Sequence, residues 1–156
     1  MEKIASFTID HLKLKPGVYL SRKDQIDNRE LMTYDLRMTA PNIEPVMNTA
    51  EMHTIEHLLA TYLRNEASVK NEIIYFGPMG CRTGFYLIVT DKLQGQALLD
   101  LLKDAFKFVA DYEGDIPGAT AADCGNYLDH NLPMAKYLAN KYLAVLEQIT
   151  DTQFNY

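Results

Sequence analysis

The stretch Met32-Thr33-Tyr34-Asp35-Leu36-Arg37-Met38-Thr39 alternates without a break between large apolar or aromatic residues and polar ones. Successive side chains of an extended chain point to opposite sides. The period of two therefore predicts a strand over 32–39, with Met32, Tyr34, Leu36 and Met38 on a core face and Thr33, Asp35, Arg37 and Thr39 on a charged one. Working outward, runs of aromatic and β-branched residues at 17–21, 73–76 and 83–90 predict further strands and a sheet of about four, mostly antiparallel. Beyond it, Asn48 followed three residues later by Glu51 is the pattern of a capping box. Met52, Ile55, Leu59, Tyr62 and Leu63 then recur at helical spacing, so a helix is predicted over 48–65. The same periodicity predicts helices over 93–112 and 133–149, the last opened by Pro133 where a missing N–H is harmless. Strands come first and helices dominate the second half. The class is α+β: a single domain over 1–156, with a small, mostly antiparallel sheet packed against about three main helices.

A chain of 156 residues is one domain's worth. Fifteen Lys plus Arg against 21 Asp plus Glu give a net charge of −6, and no basic cluster offers itself to phosphates. Nucleic acid is therefore not an expected partner. No run of about 18 apolar residues suggests a membrane span. The opening Met1-Glu2-Lys3-Ile4-Ala5-Ser6-Phe7 has no basic segment leading into an apolar one, and a cytoplasmic protein is expected. Two cysteines, Cys81 and Cys124, are too few for a disulfide framework and should remain thiols there.

The predicted first helix carries His53-Thr54-Ile55-Glu56-His57, the H-x-x-E-H inversion of the zincin motif. Histidines at i and i+4 share one helix face, so both imidazoles can reach a single ion. Glu56 stands beside them, placed to move protons without ligating. The bland reading is an amphipathic helix with two chance histidines. A catalytic metal site needs a third protein ligand and an open position. Cys124, in Asp123-Cys124-Gly125, is a candidate because thiolate binds Zn(II) or Fe(II) strongly and Gly125 would let the chain turn closely past the ion. A lone cysteine is also commonly a small buried apolar residue. Cys81 lies in Gly77-Pro78-Met79-Gly80-Cys81-Arg82-Thr83-Gly84, whose glycines imply a closely packed backbone. A thiol there beside a cation would ionise readily and serve as a base, and a turn cysteine without a role is the alternative. Arg64, two helical turns after His57, could clamp a substrate carboxylate or simply be a cation at a helix C-terminus. His11 and the Asp35/Arg37 face are equally at home in a site or on a surface.

Taken together, Ser6-Phe7-(x3)-His11, Tyr34-Asp35-Leu36-Arg37-(x3)-Pro41-Asn42, His53-Thr54-Ile55-Glu56-His57-Leu58-Leu59, the 77–84 loop continuing into Phe85-Tyr86, and Cys124-Gly125 closely resemble the S-ribosylhomocysteine lyases, the autoinducer-2 synthases, over nearly the full length. The resemblance implies a homodimer with two metal sites near the subunit interface. It implies one Fe(II) per chain, with Zn(II) or Co(II) as substitutes, bound by His53, His57 and Cys124. It makes Cys81 and Glu56 the proton-transfer groups and Ser6, His11, Arg37 and Arg64 the substrate contacts. The implied reaction releases homocysteine from S-ribosylhomocysteine and leaves 4,5-dihydroxy-2,3-pentanedione, the autoinducer-2 precursor, serving quorum sensing or the methyl cycle. One departure is Tyr75, where many members carry Asp, the residue that would hold the substrate's amino group. His130 falls where the family has a His and receives no role. Two rivals remain: an H-x-x-E-H metallopeptidase, which leaves Cys81 unused, and a non-catalytic metal module, which needs Cys81 as fourth ligand.

Overall fold

The alternation at 32–39 and its neighbours build a four-stranded, wholly antiparallel sheet of order β1-β2-β4-β3 in a computed structural model that describes residues 2, 4, 7–150 and 154–156. Its strands are β1 (Gly17–Ile26), β2 (Arg29–Arg37), β3 (Ile73–Pro78) and β4 (Gly84–Thr90), and its helices are α1 (Thr49–Asn65), α2 (Gly95–Asp111) and α3 (Leu132–Leu146). The expected α+β architecture, with three helices on a small antiparallel sheet, is the one found.

The inner face of the sheet is set by register. Met32, Tyr34 and Leu36 of β2 lie beside Val89, Leu87 and Phe85 of β4, and all six are at most 2% exposed. Ile55, Leu58, Leu59 and Leu63 of α1, Leu98, Leu102, Phe106 and Val109 of α2, and Ala135, Ala139 and Tyr142 of α3 complete the same core. α1 begins as its sequence predicts, with the Asn48 backbone N–H donating to the Glu51 carboxylate at 2.7 Å.

Four expectations need correction. β1 extends to Ile26 rather than stopping near residue 21: its outer half, Arg22-Lys23-Asp24-Gln25, is an edge strand held by backbone pairing to β2 after a bulge between Leu20 and Arg22. An edge strand needs no apolar alternation to pair, so hydrophobic pattern alone misses it. A two-residue turn joins the hairpin, with Asp27 at φ +52°, a left-handed conformation Asp tolerates better than most residues. Met38 and Thr39 leave the strand because both their N–H groups donate to one carbonyl, Thr83 O, at 2.9 and 3.1 Å. α2 and α3 are also shorter than the apolar periodicity, since Leu93 and Ile149 pack against the core from flanking turns. Lastly, the charged face of β2 is not solvated: Asp35 is 0%, Arg37 2% and Thr39 3% exposed. Asp35 and Arg37 form a bidentate pair, and the Tyr156 hydroxyl donates to Asp35 Oδ2 at 2.9 Å. Full pairing is what lets charged side chains be buried.

No helix among the described residues is long and apolar enough to cross a membrane.

Candidate metal centre and reactive thiol

The buried stripe of α1 turns Ile55, Leu58 and Leu59 into the core and leaves His53, Glu56 and His57 half-buried on its other side. Residues 112–131, between α2 and α3, wrap over that side. The His57 Nδ1 is 2.7 Å from Pro117 O and the His53 Nδ1 is 3.0 Å from Asp129 O. A carbonyl only accepts, so each Nδ1 carries the proton and each Nε2 presents a lone pair. This is how metal-binding imidazoles are usually oriented. Gly118 makes the close approach possible: its φ is +70°, and a Cβ there would lie 3.4 Å from His57 Nδ1. Gly125, expected to fill that part, would have open space around a Cβ.

Cys124 comes to the same point, its Sγ 3.3 Å from His53 Nε2 and accepting the Asn126 N–H at 3.4 Å. The ligand atoms of His53, His57, Cys124 and His130 all lie within 4.8 Å of one another. Two imidazoles with fixed lone pairs and a thiol form an N/S donor set suited to Zn(II) or Fe(II), so the cluster could hold a metal ion. His53, Glu56, His57 and Cys124 line an open cavity of about 510 Å³, which leaves Glu56 adjoining the donors.

His130 is the residue without a predicted role. Its ring stacks on His53 at 4.2 Å between centroids and 17° between planes. Burial and the neighbouring His53 and His57 rings lower its pKa. Its sequence signal is simple in retrospect: of four histidines in the chain, all but His11 converge here.

Cys81 is not in this cluster, so the fourth neighbour that the metal-module rival would need is His130 instead. The thiol sits in the tight β3–β4 connection, where Met79 N–H donates to Gly84 O at 2.9 Å and Arg82 is left-handed at φ +61°. Gly84 has to be glycine, since a Cβ would lie 2.3 Å from Leu36 O. Gly77 is likewise closely packed, under the Tyr75 ring, whereas Gly80 is open. Exposed Cys81 has Thr83 Oγ1 at 3.1 Å and Arg37 Nη1 at 3.9 Å. Partial burial alone would raise its pKa; hydrogen bonds from Thr83 and the Arg37 charge outweigh that and lower it. Arg37 is itself fixed by Asp35 and by donation to Thr83 Oγ1 at 2.5 Å.

The other expected contacts lie elsewhere. His11 is half-buried with Nδ1 2.9 Å from Ile9 O, and Arg64 is exposed in the last turn of α1, donating to Ile74 O at 3.2 Å. Ser6 lies outside the described residues. Tyr75, 46% exposed, faces a cavity of about 300 Å³ with Ile4, Tyr86 and Ile88, on the sheet face away from the helices.

The model of the family S-Ribosylhomocysteinase (LuxS) matches residues 4–153. Among curated relatives, the S-ribosylhomocysteine lyase of Finegoldia magna is 61% identical over 96% of this chain and 94% of its own. That of Clostridium beijerinckii is 60% identical over 100% of this chain and 99% of its own, and that of Porphyromonas gingivalis strain W83 is 51% identical over the same shares.

Proposed function

Because the chain belongs to the S-ribosylhomocysteinase family and is a carbon–sulfur lyase, we propose that it converts S-ribosylhomocysteine to homocysteine and 4,5-dihydroxy-2,3-pentanedione in a metal-dependent reaction. The observation carrying this reading is a division of labour: an N/S donor cluster bordered by Glu56 on α1, and a separate thiol whose pKa is lowered by Thr83 and Arg37. A metallopeptidase has no use for the second group.

The chemistry explains why both are needed. A thioether at C5 is expelled readily when C4 bears an acidic proton, which requires a carbonyl at C3. The open sugar has its carbonyl at C1. The carbonyl must move two carbons by successive enolisations, after which β-elimination releases the thiolate and no external oxidant is consumed. His53, His57 and Cys124 would hold a divalent ion, Fe(II) natively with Zn(II) or Co(II) as substitutes, which would supply Lewis acidity for the enolisations. Cys81, as thiolate, removes a proton from carbon and returns it to the neighbouring carbon. Glu56 takes and gives protons at oxygen and assists the elimination. Thr83 and Arg37 lower the Cys81 pKa, and Arg37, with Ser6, His11 and Arg64, contacts the substrate. Tyr75 stands in place of the acidic residue that would meet the substrate's amino group.

The active form is a homodimer of 1–156 lyase domains, and the cytoplasm suits a reaction that depends on two reduced cysteines. Two features support the dimer. Cys81 does not line the cavity around the donor cluster, and the outer face of the sheet carries exposed Ile4 and Tyr75 beside Ile88 with no helix over it among the described residues. Incubation of metal-loaded protein with S-ribosylhomocysteine, followed by assay of free thiol, tests the reading.

A further inference from the structure

On the outer face of the sheet, Asp35 lies between Tyr19 of β1 and Tyr86 of β4, and Arg37 lies between Gly17 and Gly84. The end of the chain is fastened over this row. Phe154, 7% exposed, packs edge-on to Tyr34 with 5.9 Å between ring centroids and 79° between planes. Its carbonyl accepts the Leu20 N–H at 2.7 Å, beside the bulge in β1. Two residues on, the Tyr156 ring stacks on Tyr19 at 4.8 Å and 5°. These contacts deliver the Tyr156 hydroxyl to Asp35, to whose Oδ2 it donates at 2.9 Å. Burial, with the Asp35 charge beside it, raises the Tyr156 pKa despite a hydrogen bond with Ser21, so the hydroxyl keeps its proton and remains a donor.

The same Oδ2 accepts from Arg37 Nη2 at 2.5 Å, and Oδ1 accepts from Nε at 3.1 Å. That leaves Nη1 to reach Thr83 Oγ1 at 2.5 Å and Cys81 Sγ at 3.9 Å. A guanidinium is a rigid fork, so the carboxylate that holds two of its nitrogens sets the direction of the third. A buried ion pair also needs its remaining lone pairs satisfied. Tyr156 meets that need with a neutral donor, which draws on the Asp35 charge and leaves that of Arg37 facing the thiol. The other titratable groups near the pair are Tyr19, Tyr86 and Tyr142, and burial raises the pKa of each, so none carries charge at neutral pH.

We propose that Tyr156 is a positioning residue: its hydroxyl orients the Asp35 carboxylate, which in turn aims Arg37 at Cys81. The consequence for turnover rests on the lyase reading, whereas the positioning itself does not.

The test is the pH dependence of Cys81 alkylation by iodoacetamide in the zinc-loaded protein, with the labelled cysteine located by peptide mass analysis. Tyr156→Phe keeps a ring on Tyr19 and removes only the hydroxyl. Its loss leaves the Asp35 charge less neutralised, which binds Arg37 more closely and repels a thiolate, so both effects disfavour the ionised sulfur. The alkylation midpoint should therefore rise, by roughly 0.3–0.7 of a pH unit for an indirect hydrogen bond of this kind. Tyr156→Leu, which removes the ring as well, should raise it at least as far. A tail that merely clasps β1 would lower the urea midpoint of Tyr156→Leu and leave the alkylation of Tyr156→Phe unmoved. That result, or a downward shift in Tyr156→Phe, would overturn the proposal. If Cys81 is the base, the acid limb of thiol release from S-ribosylhomocysteine should move upward with the alkylation midpoint. A shifted alkylation midpoint in a protein whose native form releases no thiol would support the positioning and overturn the lyase reading alone.

Discussion

Two sulfur atoms of one kind have opposite surroundings. Cys124 Sγ lies 3.3 Å from an imidazole lone pair, while Cys81 Sγ lies 3.1 Å from a hydroxyl and 3.9 Å from a guanidinium. Cys124→Ala should therefore lose most bound metal, and activity with it. Cys81→Ala should keep metal near the native content while turnover falls by at least about a thousandfold, as expected when a positioned base is removed. Glu56→Gln should behave like Cys81→Ala. Elemental analysis beside thiol release separates the three, and metal loss from Cys81→Ala would reverse the assignment. The Cys81 pKa also has a testable sign. Thr83 and Arg37 lower it, so Thr83→Val should raise it, moving the pH midpoint of Cys81 alkylation upward; a downward or absent shift would remove Thr83 from the account. His53, Glu56, His57 and the two cysteines were legible in the sequence because their types and spacing are chemically restrictive. His130 was not, because only the wrapping of residues 112–131 over α1 brings it to the cluster. Alternation leaves Arg37 equally at home in a site or on a surface, because it reports which face a residue takes, not what covers that face.

At the scale of elements, α1 and the β3–β4 connection matter most, since one carries the imidazoles and the other the thiol. Gly84 begins β4 against β2, and Gly84→Ala would drive a Cβ to 2.3 Å from Leu36 O. A backbone oxygen cannot yield as a flexible side chain does, so the substitution should cost about 1–3 kcal/mol in urea unfolding. It should also disturb Cys81 reactivity, through the Thr83 carbonyl that Met38 and Thr39 share. Unchanged stability would mean the strand can shift without penalty. The existence of all four strands and three helices could be read from periodicity and from the Asn48/Glu51 cap. Strand ends were less legible: the outer half of β1 is polar and is fixed by its backbone partners in β2, while Met38 and Thr39 keep the alternation yet turn their N–H groups onto one carbonyl.

For the whole molecule, the proposed second copy would sit on the outer face of the sheet. Ile88 lines the cavity there with Ile4, Tyr75 and Tyr86, and helices cover only the opposite face. Light scattering should give twice the chain mass. Ile88→Lys, which puts a charge into that contact, should shift the protein toward monomer with metal retained and activity reduced; a fully active monomer would contradict the shared interface. Joining an N/S donor cluster to a separate thiol is what would let this fold cleave a thioether without external redox chemistry. The deciding measurement is to incubate Fe(II)-loaded protein with S-ribosylhomocysteine under anaerobic conditions and titrate free thiol. Stoichiometric release of homocysteine, abolished by chelation and by Cys81→Ala, is the predicted result, and no thiol release by metal-replete native protein would contradict it.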